Sequence, residues 1–313
     1  MKKAIPTIII VCLLMAACGQ SYEETKRIAR ENRKETLRKN EAALKIAVMP
    51  TLDCLPLYVA RHYQLLDTIY GGVRLKPYRA QMDCDTALER GHVEGMVTDL
   101  VRAMRLHRRG VKMRYVAATN AHWQLITNRN ARIRKLKQLD DKMVAMTRFS
   151  STDLLSDEAI DSAKLSDDRV FKVQINDVRI RLQMLMNNEM DALWLTEPQA
   201  TEARLMKHHV VMDSRTMDLR LGVIAFREKE MQHPNRAKQL SLFLKAYDQA
   251  CDSINKYGIG HYRRLLTDYY KVKQTVVDSL PPQPKYEHAR GPRQQDVAVV
   301  EKWLDKEKKE NGR

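Results

Sequence analysis

Short apolar runs alternate with longer stretches of mixed polarity over most of the chain. That alternation predicts strands separated by helices. Residues 44–49 (LKIAVM) are apolar, brief and stopped by Pro50, which reads as a buried strand. Residues 73–78, 95–98 and 113–119 read the same way. Helical stretches fall between them. One bears Leu57, Tyr58, Ala60 and Arg61, one covers residues 83–90 and is ended by Gly91, and one covers residues 99–108. Strands that alternate with helices predict a mostly parallel sheet flanked by helices on both faces.

The pattern then repeats. Adding 97 to each number carries residues 45–49 onto 142–146, 73–78 onto 170–175, and 94–98 onto 191–195. Few residues are identical, so the plan is repeated rather than the sequence. The period is far longer than the roughly 20–50 residues of a solenoid repeat. Two similar α/β lobes are expected. In open α/β sheets ligands bind outside the carboxyl ends of the strands. The first lobe offers loops at residues 51–54, 79–83 and 98–100, and the second at 148–152, 176–179 and 195–198. Facing each other, these six loops line one cleft, a usual ligand site between domains.

Beyond the repeat, Leu240, Phe243, Leu244, Tyr247, Cys251 and Ile254 form an apolar stripe at helical spacing, which predicts core packing. Residues 281–284 (PPQP) break the chain before a last helix carrying Val297, Val300 and Trp303.

The amino terminus has a different character. Lys2 and Lys3 precede an uncharged apolar run over residues 8–17, too short to span a bilayer and suited to a signal peptide. It ends in LMAAC at residues 14–18, which resembles a bacterial lipobox with Cys18 as the lipidated residue. Residues 19–43 carry seven basic and five acidic side chains, with Glu23/Arg27 and Glu35/Lys39 four apart. They read as a solvated helical or partly disordered tether.

Charge and composition narrow the classes. The 313 residues hold 55 Lys and Arg against 39 Asp and Glu, a formal charge of +16. No zinc-finger or helix-turn-helix spacing accompanies that charge, and aromatics at 6% are too few for an evident stacking platform. Nucleic acid is therefore not an expected partner, and an anionic membrane surface is the simpler one. Five Cys rule out a disulfide scaffold. Walker, HExxH, GxSxG and CxxC patterns are absent, and 258–260 (GIG) lacks the third Gly of a dinucleotide fingerprint. His208 and His209 have no acidic or Cys companion at ligand spacing. No catalytic residue, cofactor or metal is expected.

Residues 44–60 (LKIAVMPTLDCLPLYVA), 110–118 (GVKMRYVAA) and 191–198 (DALWLTEP) resemble a solute-binding protein of an ABC importer, of the NMT1/THI5-like type that serves nitrate, sulfonates, taurine and a thiamine precursor. The resemblance implies a two-lobed periplasmic-binding-protein type II fold that closes on a solute and delivers it to permease subunits. It implies a monomer in the bacterial envelope, on the periplasmic side of a membrane. The expected layout is a signal peptide over residues 1–17 and a tether over 18–43. One lobe comes from 44–120 with 219–313, and the second from 121–218. An enzyme on the same fold, or an envelope lipoprotein that binds a protein partner, are the competing classes.

Candidate ligand contacts follow from the loops. Ser150, Ser151 and Thr152 start a helix after a strand, where free amides and the positive dipole end suit an anion and also invite a serine cap. Arg148 adds a bidentate donor for a carboxylate or sulfonate. Asp53 holds the equivalent place in the first lobe. Asp99 and Glu197 open helices after their strands, and with Asp53 suit an amine or a ring N–H. Trp123 can stack on a ring, whereas Trp194 sits in a strand and is expected in the core. Met82, Asp83, Thr98, Asn120, Asn176, Asp177 and Thr196 are candidates by position. Cys54 and Cys84 follow the first and second strands, and with those strands as neighbours a disulfide between them is expected, with Cys251 buried and unpaired.

Overall fold

The computed structural model describes residues 22–66 and 72–311. The expected signal peptide and Cys18 lie outside the described residues. The described residues form two units, one ending at Ala43 and one beginning at Leu44. Within the first unit, Tyr22–Ala42 is one helix with acidic residues in its first turn and Lys39 in its last. That order complements the helix dipole, and Lys39 pairs with Glu35 at 2.7 Å. No helix among the described residues is long and apolar enough to cross a membrane.

The second unit is built on two five-stranded sheets. The first contains β1 (Leu44–Val48), β2 (Val73–Pro77), β3 (Gly95–Asp99), β4 (Met113–Ala118) and β10 (Gly222–Arg227). The second contains β5 (Gln124–Thr127), β6 (Lys142–Met146), β7 (Val170–Gln174), β8 (Ala192–Leu195) and β9 (His209–Asp213). Their orders are β2-β1-β3-β10-β4 and β7-β6-β8-β5-β9. β1 pairs in parallel with β2 and β3, and β6 with β7 and β8. β10 and β5 run antiparallel to both of their neighbours. In each sheet the one reversed strand follows a crossover from the other sheet. The chain passes over through residues 119–123 and returns through 214–221.

The repeat is real and carries one slip. Val73 and Val170 take the same place, as do Gly95 and Ala192, an offset of 97 in both cases. Their partners in the first strands are Leu44 and Lys142, and Ile46 and Val144, an offset of 98. The alignment of β1 with β6 is therefore one residue out, which matters because a one-residue step in a strand exchanges its faces.

Helices cover the sheets as the apolar spacing dictates. Phe243, Tyr247, Cys251 and Ile254 of the Pro234–Tyr257 helix are buried, and the helix packs on Leu55–His62. The Gln294–Asn311 helix packs on Leu100–Arg108 with Val300 and Trp303 buried. Trp303 Nε1 donates to Asp157 Oδ2 at 2.8 Å, tying this last helix to the Ser151–Ala163 helix of the other lobe. One apolar cluster runs from the first sheet through Val144, Leu154 and Trp194, and a smaller one lies under Ile126, Leu185 and Leu193. Trp194 is fully buried, with its N–H donating to Ser156 Oγ at 2.9 Å.

Candidate functional site

The carboxyl ends of β1, β2, β3, β6, β7 and β8 converge on one cavity between the lobes. Its wall includes Met49, Thr51, Asp53 and Cys54 after β1, Gln81 after β2, and Thr98 and Asp99 closing β3. The opposite wall holds Thr147, Ser150 and Thr152 after β6, Asn176, Val178 and Arg181 after β7, and Thr196 after β8. Ala121 and Trp123 of the first crossover complete it. All six loops contribute.

The lobes are drawn together across this space. Leu52 N donates to Glu197 O at 3.0 Å, and Gln199 Nε2 to Pro50 O at 3.3 Å. Ala80 and Asp177 form an antiparallel bridge. The space left between the lobes is about 70 Å³. One water needs roughly 10–15 Å³ by this measure, so the closed cavity has room for a few water-sized groups.

Three charged side chains set its electrostatics, Asp99 and Arg181 buried and Asp53 half-buried. Asp99 caps the Leu100–Arg108 helix through the Arg102 amide at 3.0 Å. The same oxygen, Oδ1, accepts the Ser151 amide at 3.1 Å from the opposite lobe. Burial raises the Asp99 carboxyl to about 6, opposed by the Arg102 charge and these amides. Burial also raises Asp53, against hydrogen bonds from Thr51 and Thr119 and the nearby His122. Arg181 donates to Trp194 O at 2.8 Å and Thr147 Oγ1 at 3.0 Å, and its Nε has no partner among the described residues. Burial lowers this guanidinium to about 10, with the Asp177 charge opposing. A buried cation without a paired carboxylate is costly.

Eight of the expected contacts meet at the cavity, namely Asp53, Thr98, Asp99, Trp123, Ser150, Thr152, Asn176 and Thr196. The other seven lie off its wall. Met82 is exposed, with its sulfur 3.4 Å from Gln174 Nε2, and Asp83 is exposed on the same helix. Asn120 donates to Pro284 O at 3.0 Å on the crossover. Arg148 is exposed, its guanidinium 5.1 Å from the Phe149 ring. Asp177 caps the Val178–Met186 helix through the amides of Arg179 and Ile180. Glu197 is fully buried and committed to Thr201 and Arg204, the latter at 2.7 Å.

The expected anion cradle is filled from within the protein. Ser150 Oγ accepts the Thr152 amide at 3.1 Å, and Asp99 takes the Ser151 amide. Ser151 therefore serves the closed cleft through its backbone, while its Oγ is buried without a partner. The expected disulfide is likewise not formed. Cys54 and Cys84 are buried free thiols, and Thr51 Oγ1 donates to Cys54 Sγ at 3.7 Å. Burial pushes both thiols up, away from the reactive thiolate.

Thr51, Gln81, Thr147 and Arg181 are the polar side chains of the cavity wall that the sequence did not single out. Arg181 carried one signal, a charge inside the apolar stretch of the Val178–Met186 helix. Gln81 Nε2 donates to Thr98 Oγ1 at 2.8 Å, an arrangement with no trace in the sequence. Among the described residues no cluster of His, Cys, Asp and Glu could hold a metal.

A family model described as NMT1/THI5 like matches residues 71–256. No curated protein matches the chain by sequence. Solved structures share its fold. The ligand-binding component of an ABC-type import system from Staphylococcus aureus, with zinc bound, superposes with a TM-score of 0.72 at 15% identity, over 84% of this chain and 92% of that one. The alkanesulfonate-binding protein SsuA from Xanthomonas axonopodis pv. citri, bound to MOPS, gives 0.73 at 15% identity over 84% and 91%. The periplasmic nitrate-binding protein NrtA from Synechocystis PCC 6803 gives 0.67 at 13% identity over 82% and 74%.

Proposed function

The chain belongs to the NMT1/THI5-like family, and from that premise we propose that it captures a small polar organic solute between its lobes and delivers it to an ABC importer. The observation that carries this reading is the interlobe cavity, lined by loops from the ends of three strands in each sheet. The solved structures of like fold include a component of an ABC-type import system and binding proteins for an alkanesulfonate and nitrate, which supports the same class of task.

The mechanism is differential binding. A solute shifts the lobes toward closure only by the affinity it gains in the closed form. Loops from both lobes line the space, so a bound solute touches both walls only when they meet. Asp53, Thr98 and Asp99 offer acceptors and hydroxyls on one side, and Thr147, Asn176, Arg181 and Thr196 face them. A solute of more than a few atoms enters with the lobes apart, because the closed volume of about 70 Å³ is small. In this reading Cys18 carries the lipid, the helix Tyr22–Ala42 is the spacer, and the protein works as a monomer on the outer side of a membrane.

Native mass spectrometry of the protein purified from its source tests the reading by weighing a co-purified solute. A thermal-shift screen should then respond to one class of solute. A hundredfold excess over the dissociation constant adds about 2.7 kcal/mol of stability. Turnover of that solute by the protein alone would replace the reading with an enzyme. A protein that answers no solute and retains a protein partner would replace it with an interaction module.

A further inference from the structure

A second cavity, of about 340 Å³, lies where the two lobes are joined. It is nearly five times the volume of the interlobe cleft and within the roughly 300–1,000 Å³ range of small-molecule sites. Both crossovers line it, through Ala118–His122 on one side and Arg215 and Asp218–Arg220 on the other, with Pro284, Lys285 and Glu287 completing the wall.

Its polar groups are unbalanced. Both carboxylates in the wall are already engaged. Asp218 accepts from Arg293 at 2.7 Å and Gln295 at 3.2 Å. Glu287 accepts from Arg220 at 2.7 Å and from Arg290. The cations retain unused donors. Lys285 has no hydrogen-bond or ion-pair partner among the described residues. Arg215 holds Asp213 through Nε and Nη2, leaving Nη1 without a bond, and Arg220 uses only Nη1 of its guanidinium. Three exposed cationic side chains with spare N–H groups thus border a space whose two carboxylates are both paired.

We propose that this hinge cavity is a second ligand site, which takes a small anionic molecule bearing a carboxylate or phosphate group between Lys285, Arg215 and Arg220. Charge-assisted bonds to guanidinium and ammonium groups are the stronger kind. The site is independent of whatever the interlobe cleft takes. Because its walls are the two crossovers, an anion held there favours one hinge angle over another, so a solute that closes the cleft changes the affinity for the anion, and the anion changes the affinity of the cleft by the same factor.

Amide NMR of the full chain, titrated with pyrophosphate and separately with succinate, tests the proposal and tells the two anion classes apart. Saturable shifts are expected for residues 118–122 and 215–220 with at least one probe. Lys285→Glu should weaken that binding at least tenfold, and Lys285→Arg should retain it. Shifts confined to residues 98–99 and 147–152 would place the anion in the cleft instead and overturn the proposal. So would the absence of saturation in the millimolar range, equal binding by Lys285→Glu, or equal effects from sodium chloride at matched ionic strength.

Discussion

Asp99 Oδ1 accepts the backbone amide of Ser151 across the cleft at 3.1 Å. The same oxygen accepts the Arg102 amide at 3.0 Å, so one carboxylate serves the amino ends of two helices in opposite lobes. Each helix end carries about half a positive charge, and without Asp99 the two would face each other unscreened. Asp99→Ala should therefore favour the open form, seen as a longer distance between spin labels placed one on each lobe. It should also cost about 1 kcal/mol for the lost cap. Asp99→Asn separates charge from shape. The folded carboxyl stands at about 6, above its ordinary value, so the folded state binds this proton more tightly than the unfolded chain. Its contribution to stability is then largest at low pH and is lost as pH rises through about 6. The melting temperature of Asp99→Asn relative to the native protein should rise between about pH 4 and 7 and then level. A difference that falls over that interval would show that the shared amides, not burial, govern the carboxyl.

Arg181 is held by two acceptors, Trp194 O and Thr147 Oγ1, both buried. Arg181→Met should leave these acceptors unsatisfied and cost roughly 1–3 kcal/mol in urea unfolding. Arg181→Lys keeps the charge but not the two-pronged geometry. In a titration with the solute that native mass spectrometry identifies, both substitutions should weaken binding at least tenfold. Unchanged affinity in Arg181→Met would remove the guanidinium from the ligand-binding wall.

The strand pattern and the 97-residue repeat were legible because buried strands need short apolar runs, and two lobes of one plan need two sets of them. The structure shows how deep that symmetry goes: Ala80 and Asp177 are equivalent residues, each preceding the helix after its second strand, and they bridge to each other. Such a self-pairing is what a local two-fold relation places near its axis. The slip at β1 and β6 was hidden, since an apolar run of five reads alike in either register. Loop position located half of the candidate site and misjudged Glu197, whose carboxylate turns back to Thr201 and Arg204. Sequence position gives a loop, whereas the direction of a side chain depends on the partners that folding brings to it. The same limit explains Arg181, which reaches the cavity from within a helix.

Cys54, Cys84 and Cys251 should all take up an alkylating reagent after denaturation without a reductant. In the folded protein they should react slowly, because all three are buried and burial lifts the Cys251 thiol to about 12. A reductant should leave the melting temperature unchanged. A Cys54–Cys84 bridge closing some 30 residues would instead add roughly 3–4 kcal/mol that reduction removes. Peptide mapping that recovers Cys54 linked to Cys84 would establish the bridge.

Gly222 opens β10 where the returning crossover meets the outgoing one. A Cβ on it would lie 2.2 Å from Thr119 Oγ1 and 2.6 Å from Ala121 Cβ. Its carbonyl accepts the Thr119 amide at 2.9 Å, so the two crossovers are pinned together at this point and cannot part without losing that bond. Gly222→Ala should destabilise the protein by about 1–3 kcal/mol through overpacking. It should also change how far the lobes open, because the strain falls on both connections at once. Gly258→Ala is the control, since it has open space around it but a φ of +74°. That substitution strains only its own backbone, so stability falls without a change in the distance between lobes. If the two substitutions alter that distance equally, the close packing of the crossovers does not set the hinge.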